Sequence, residues 1–246
     1  MRAALALVAA LLVGAGCTDL SQRWELDHAR ILAVRATPPG LGADEVALID
    51  LLVIDDAGTP SVATPGLAST AEANPEPAVA AALTLSPTSA GWQATAGDAD
   101  DLAAARAAAG LADDEPLDVL VGVTHSVPGA ADPLLAIKAV RLGEADVNPA
   151  TPTIRVDGLT VAEGDVATVE RGREIELTFV EEFADPSEDE PLEFDWLTGT
   201  GSLTKSQTRR GLLEIGAEDP DAGYVVAIVR TATGGVSWSW IQLAVE

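Results

Sequence analysis

The sequence predicts a mostly β protein: two antiparallel β-sandwich domains, one short helix in the first, and a signal peptide ahead of both. Val-, Ile- and Leu-rich runs of strand length recur along the chain, each bounded by Gly, Pro or acidic turn residues. Only one stretch has the composition and caps of a helix, so few strands can be joined by helical crossovers. The third observation is an apolar N-terminus that stops at the only cysteine. The organisation that follows is a signal over residues 1–16, a tether over 17–27, and domains over 28–147 and 148–246.

Met1-Arg2 supplies one positive charge, and residues 3–13 are then unbroken apolar. As a helix that run spans about 16 Å, roughly half the hydrocarbon thickness of a bilayer, too short for a transmembrane span. A basic start, a short apolar core and the small residues Gly14-Ala15-Gly16 are the anatomy of a secretory signal peptide. Ala15, Gly16 and Cys17 resemble the lipobox of bacterial lipoproteins, with Gly14 standing where that pattern prefers Leu or Val. The resemblance implies cleavage between Gly16 and Cys17 and acylation of the Cys17 thiol by palmitate-like chains. A diacylglyceryl group would supply the two chains that stable anchoring needs, at about 0.8 kcal/mol per buried CH₂. The neighbour Thr18 is not acidic, which by the same resemblance implies the outer membrane of the cell envelope.

Without residues 1–16 the chain keeps about 230 residues, enough for one large or two ordinary domains. Its net charge of -25 opposes nucleic acid and anionic membrane surfaces as partners. Hydrophobic residues make up 48% of it, which excludes a disordered chain. With Cys17 given to lipid, no disulfide forms within the chain and no thiol-rich metal site exists.

Residues 18–27 are polar and extend to about 33 Å at most, a short tether. Residues 30–36 form a strand that Pro38-Pro39-Gly40 ends. Residues 45–55 (EVALIDLLVID) have the length and apolar continuity of a strand buried on both faces, closed by the turn Asp55-Asp56-Ala57-Gly58. Residues 59–77, rich in Pro, Ser, Thr and Ala, read as a long surface excursion. Residues 79–85 and 91–95 are weaker strands. The helix is Ala99–Ala109, capped by Asp98 or Asp100, with Arg106 in its last turns and Gly110 beyond its end. Leu102, Ala105 and Ala109 share one face of it. Strands resume at 117–127 and 134–142, and the polar, Pro-containing stretch 143–151 is the domain boundary.

The second domain has a denser rhythm of strands, at 153–156, 174–180, 192–197, 211–215, 224–230 and 236–245, without intervening helices. That spacing indicates an antiparallel sandwich. Gly234-Gly235 allows the positive φ of a hairpin between the last two strands.

Several residues resemble those of immunoglobulin-like domains. Trp196 in LEFDW stands where such sandwiches place a core Trp, and Tyr224 after Asp221-Ala222-Gly223 stands near their corner tyrosine, with one residue fewer between Gly and Tyr. The hairpin GYVVAIVRTATGGVSW is similar to the last two strands of bacterial surface Ig-like and PKD-like repeats. The stretch RILAVRATPPGLGADEVALIDLLV is similar to the first two strands of Ig-like domains in uncharacterised bacterial lipoproteins. The resemblance implies two Ig-like sandwiches; being made of packing and turn residues, it carries fold and no activity.

His28 and His125 are the only histidines, lie in different strand regions, and have no nucleophile-elbow motif beside them. Acidic runs at 98–101, 113–115, 181–185, 188–190 and 218–221 match neither the EF-hand nor the cadherin calcium pattern and read as solvated surface charge. No metal site, cofactor or catalytic residue is expected. Trp238 and Trp240, two apart in a strand, share one face with Val236, while Ile241, Leu243 and Val245 occupy the other. Either a bulge near Trp240 switches faces and makes both core, or they form an exposed strip for ligand contact. The expected function is a non-catalytic structural or protein-binding module, partnered with the membrane through Cys17 and with another envelope protein or a glycan. The alternatives are carbohydrate binding through Trp238 and Trp240, and hydrolysis by paired carboxylates, which no motif supports.

Overall fold

The computed structural model describes residues 22–71, 76–128, 132–181, 183 and 192–246. The first domain runs β1 (Arg30–Thr37), β2 (Gly40–Leu41), β3 (Val46–Ile54), β4 (Pro60–Ala63), β5 (Leu67–Thr70), α1 (Pro77–Ala82), β6 (Leu83–Thr88), β7 (Gly91–Ala96), α2 (Ala99–Ala109), β8 (Leu117–His125) and β9 (Leu134–Leu142). One sheet has the order β1-β3-β7-β6, with β4 also on β3; the facing sheet has the order β2-β9-β8-β5. The second domain runs β10 (Ile154–Val156), β11 (Leu159–Thr160), β12 (Val166–Val169), β13 (Glu174–Phe179), β14 (Leu192–Thr198), β15 (Ser202–Thr204), β16 (Gly211–Glu214), β17 (Ala222–Thr231) and β18 (Val236–Val245). Its sheets are β11-β10-β13-β16-β15 and β12-β18-β17-β14.

Both domains are wired alike. The first strand pairs antiparallel with the next long one, then the chain crosses to the other sheet as a short strand parallel to the domain's last strand: β2 beside β9, and β12 beside β18. With β8–β5 and β17–β14 completing the second sheets, this is the strand order of an Ig-like sandwich. Each domain closes over its own apolar cluster, the first around Ile49, Leu51, Val121 and Val140, the second around Ile175, Leu177, Trp196 and Leu213.

Local sequence explains the elements that were anticipated. The Asp98 carboxylate accepts from the amides of Asp100 and Asp101, both at 2.9 Å, and Gly110 takes φ 73° past the end of α2. Leu102 and Ala105 enter the first core, but Ala109, expected on the same face, is exposed. Trp196 lies in the second core as the Ig-like pattern implies, stacked on Phe179 at 4.5 Å, its indole N–H donating to the Thr208 carbonyl at 2.9 Å. Gly211 lies close against that ring: a Cβ there would approach the Trp196 ring to 3.1 Å.

Other expectations need correction. Within the stretch 59–77, read as a surface excursion, the described residues 60–63 and 67–70 are strands: β4 pairs with β3 and β5 pairs with β8, so they carry the chain from one sheet to the other. Residues 79–82 belong to α1, started by Pro77, before the strand begins at Leu83. The strands β11, β12 and β15 were not anticipated. The described part of the tether is docked rather than free. Leu26 N donates to the Thr198 carbonyl at 2.9 Å, Thr198 N donates to the Trp24 carbonyl at 2.8 Å, and the Leu26 side chain is buried. Tyr224, near the start of β17, lies partly buried against the cluster between the domains.

Candidate functional site

The outer face of β17 and β18 is the most distinctive surface of the fold. Their register runs unbroken from Ala222↔Ala244 to Arg230↔Val236, which sets Trp238 opposite Ile228 and Trp240 opposite Val226. Alternation then sends Val225, Ala227, Val229, Ile241 and Leu243 into the second core, and Val226, Ile228, Val236, Trp238 and Trp240 outward. Outward here does not mean wet. The face packs on the outer side of β1 and β3 in the first domain, against Ala33, Leu52 and Ile54, with Leu26 and Leu197 at its margin. Trp238 is 3% exposed.

Both expectations for these tryptophans are thereby corrected. No bulge occurs near Trp240, and Trp238 is not part of an exposed strip; the partner is the other domain. A register shift does occur on the facing strand, between Ile31 and Ala33 of β1. It leaves Ile31 on the first core and turns both Leu32 and Ala33 toward the tryptophans. The apolar continuity of β3 has the same origin. Its first half alternates, with Val46 and Leu48 exposed, and its second half is covered on both sides, by its own core and by the second domain.

Polar groups fix the joint. Arg35 lies over the Trp238 ring, 4.1 Å from its centroid, and is held there by Asp50, with Nε–Oδ1 at 3.1 Å and Nη2–Oδ2 at 2.6 Å. Asn148 donates from Nδ2 to the Ala36 carbonyl and accepts from Val236 N through Oδ1, both at 2.8 Å, so one amide joins the two domains. Thr233 donates to Asp146 at 2.5 Å, and Arg230 Nη2 to the Leu32 carbonyl at 3.1 Å. Lys138, only 8% exposed, donates its ammonium to the Gly234 carbonyl. Burial, reinforced by the nearby charge of Arg230, pulls the Lys138 ammonium down to about 8. Burial likewise raises the Glu163 carboxyl, against the lowering effect of Arg35. Arg35, Asn148 and Lys138 were missed in the sequence. Only Lys138 left a signal: it falls at an inward position, in phase with Ala136, Val140 and Leu142 of β9.

The matching face of the first domain is open. On the outer side of β5, β8 and β9, Leu67, Leu120, Leu135 and Ile137 are exposed, the last two at 70% and 60%. Four aliphatic side chains on one sheet face form the kind of patch that marks an interaction surface.

The remaining candidates resolve locally. Gly16 and Cys17 lie outside the described residues. His28 pairs with Asp27 at 2.5 Å on the surface, and His125 ends β8. Of the acidic runs, Asp98 caps α2, Glu115 accepts from Ala112 N at 3.2 Å, Glu181 accepts from Thr153 N at 2.7 Å, and Asp219 accepts from Gly216 N at 2.6 Å. Asp221 pairs with Arg171 at 2.5 Å. Residues 182, 185 and 188–190 lie outside the described residues. Among the described residues, no three His, Cys, Asp or Glu converge as a metal site would require, and no helix is long and apolar enough to cross a membrane.

No protein-family model matches the chain, and no curated protein matches it. Solved structures do. The N-terminal Ig1-2 module of the Drosophila receptor protein tyrosine phosphatase DLAR matches 89% of this chain over 99% of its own, at 16% identity and a TM-score of 0.31. Murine CEACAM1b matches 89% of this chain over 100% of its own, at 15% identity and a TM-score of 0.31. A nucleoside hydrolase-related hypothetical protein from Saccharophagus degradans, associated with carbohydrate metabolism, matches 41% of this chain at 13% identity and a TM-score of 0.31. The match covers 26% of that protein, so the chain spans about a quarter of its length. At such scores the likenesses carry no argument; the Ig-like assignment stands on the strand order of the two domains.

Proposed function

We propose that this chain is a lipoprotein of the bacterial cell envelope, anchored in the outer membrane through Cys17, and that it works as a non-catalytic structural and protein-binding module. The observation that carries the binding reading is the open aliphatic face of the first domain, Leu67, Leu120, Leu135 and Ile137. The equivalent face of the second domain is apolar too, and it is spent on the joint. Two sandwiches locked at such a joint make a stiff arm that presents the remaining face at a fixed angle. The anchor reading is supported by the short apolar run and by Ala15-Gly16-Cys17. Glycan stacking on Trp238 is not carried forward, because that ring is covered.

The test is in-cell crosslinking and fractionation of the tagged chain alongside Cys17→Ser and Ile137→Asp. Cys17→Ser is expected to lose lipid label and leave the membrane fraction. Ile137→Asp, an exposed change that leaves both cores intact, is expected to stay in the membrane and lose its crosslinked partner. A membrane-bound Cys17→Ser protein refutes the anchor; unchanged crosslinks in Ile137→Asp refute the face.

A further inference from the structure

A cavity of about 310 Å³ lies where β1, β9 and the β17–β18 hairpin meet. Its walls are apolar at Ile31, Leu32, Val34, Ala136 and Val236, and Ile137, 60% exposed, stands at its rim. Alternation along β9 sends Lys138 inward with Ala136 and Val140, so the chain places an amine where core residues belong. Lys138 and Gly234, donor and acceptor of one hydrogen bond, both line the cavity. That bond uses one of the three N–H groups of an ammonium, and among the described residues no other acceptor and no carboxylate pairs with it. The charged groups that act on it are engaged elsewhere. Asp118 holds Arg141 at 3.1 Å, Asp146 accepts from Thr233, and Arg230, a like charge on the same cavity, pairs with Asp195.

Burial beside a second cation is the arrangement that frees an amine as a nucleophile at neutral pH. About a tenth of Lys138 is free base at pH 7, against about one part in 2,500 of an ordinary lysine. We propose that Lys138 captures small aliphatic aldehydes in this cavity as an imine. The amine lone pair attacks the carbonyl carbon, and a proton moves from nitrogen to oxygen. The carbinolamine then expels water as the C=N bond forms, so amine and aldehyde give imine and water. Once protonated, the imine keeps one N–H, the number that the Gly234 carbonyl takes, and the two unpartnered positions become the bond into the cavity. The apolar walls match an alkyl chain better than a polyol. Room is sufficient, since a cavity of about 150 Å³ already holds benzene.

The test is reductive labelling of the purified full chain with butanal and cyanoborohydride at pH 7. Peptide mass spectrometry reads the label at Lys138 and at Lys205, the only other lysine and an exposed one. Lys138 is expected to be labelled about tenfold or more faster than Lys205, at a rate that saturates with butanal. Pyrenecarboxaldehyde, too large for the cavity, is expected to reverse that preference, and concentrated urea to abolish it. Glyceraldehyde, the same carbonyl on a polyol, is expected to label Lys138 several-fold more slowly than butanal does. Labelling of Lys138 no faster than Lys205, a rate that stays linear in butanal, or a preference that survives urea overturns the proposal. So does labelling of Lys138 by pyrenecarboxaldehyde or glyceraldehyde as readily as by butanal.

Discussion

Trp238→Ala isolates the joint, because Trp238 contributes to neither domain's own core. Truncating a fully buried Trp removes about 3 to 5 kcal/mol. Loss of the ring beneath Arg35 removes about 1 kcal/mol more. That loss falls on the coupling between the sandwiches and not on either of them. The expected outcome by scanning calorimetry is therefore a change of form as well as of temperature. The unaltered chain melts in one transition, and the variant in two, the earlier roughly 10 °C below the original at about 2–4 °C per kcal/mol. Trp240, partly buried beside the same face, should become accessible to iodide in the variant. A single transition displaced by less than about 3 °C, with Trp240 still shielded, would refute the reasoning.

Two further outcomes follow from the same joint. The Lys138 ammonium titrates near 8 in the folded chain against 10.5 when unfolded, so between those pH values the unfolded chain holds more protons and stability rises with pH, by about 3 kcal/mol at most. Denaturant melts from pH 7.5 to 10.5 should show that rise in the unaltered chain and a flat profile in Lys138→Met; equal slopes would count against a buried, titrating amine. Asn148→Ala removes the amide that links the Ala36 carbonyl of the first domain to Val236 N of the second, and leaves both groups without that partner. A loss of about 2 to 3 kcal/mol by urea titration is expected, and a loss below 0.5 kcal/mol would show that water replaces the amide.

What the sequence disclosed divides along physical lines. Features governed by neighbours in the chain were legible. Asp98 and Gly110 bracket α2, Pro38-Pro39 ends β1, and the span of β9 falls where its apolar run does. Features that depend on distant partners were not. β12 is four residues long, and its first valine is exposed; it is a strand because β18 offers a free edge parallel to it. β4 and β5 have a composition suited to loops and are ordered by β3 and β8. The candidate site shows the same limit. Alternation put Val236, Trp238 and Trp240 on one face correctly, but nothing within the strand says that another domain covers it. The covering surface was present as the unbroken apolar run of β3, whose second side had no assigned partner.

The joint also dictates an order of assembly. Arg230 bonds the Leu32 carbonyl across 198 positions of chain, and Trp238 packs on Leu52 and Ile54 from nearly as far. On a ribosome adding about 5–20 residues each second, the first sandwich has all its strands roughly 4–20 s before β17 and β18 exist. During that interval the outer side of β1 and β3 stands in water with Ala33, Leu52 and Ile54 uncovered, a sticky sheet awaiting its lid. The arm is therefore closed last, when β17 and β18 reach the outer side of β1 and β3.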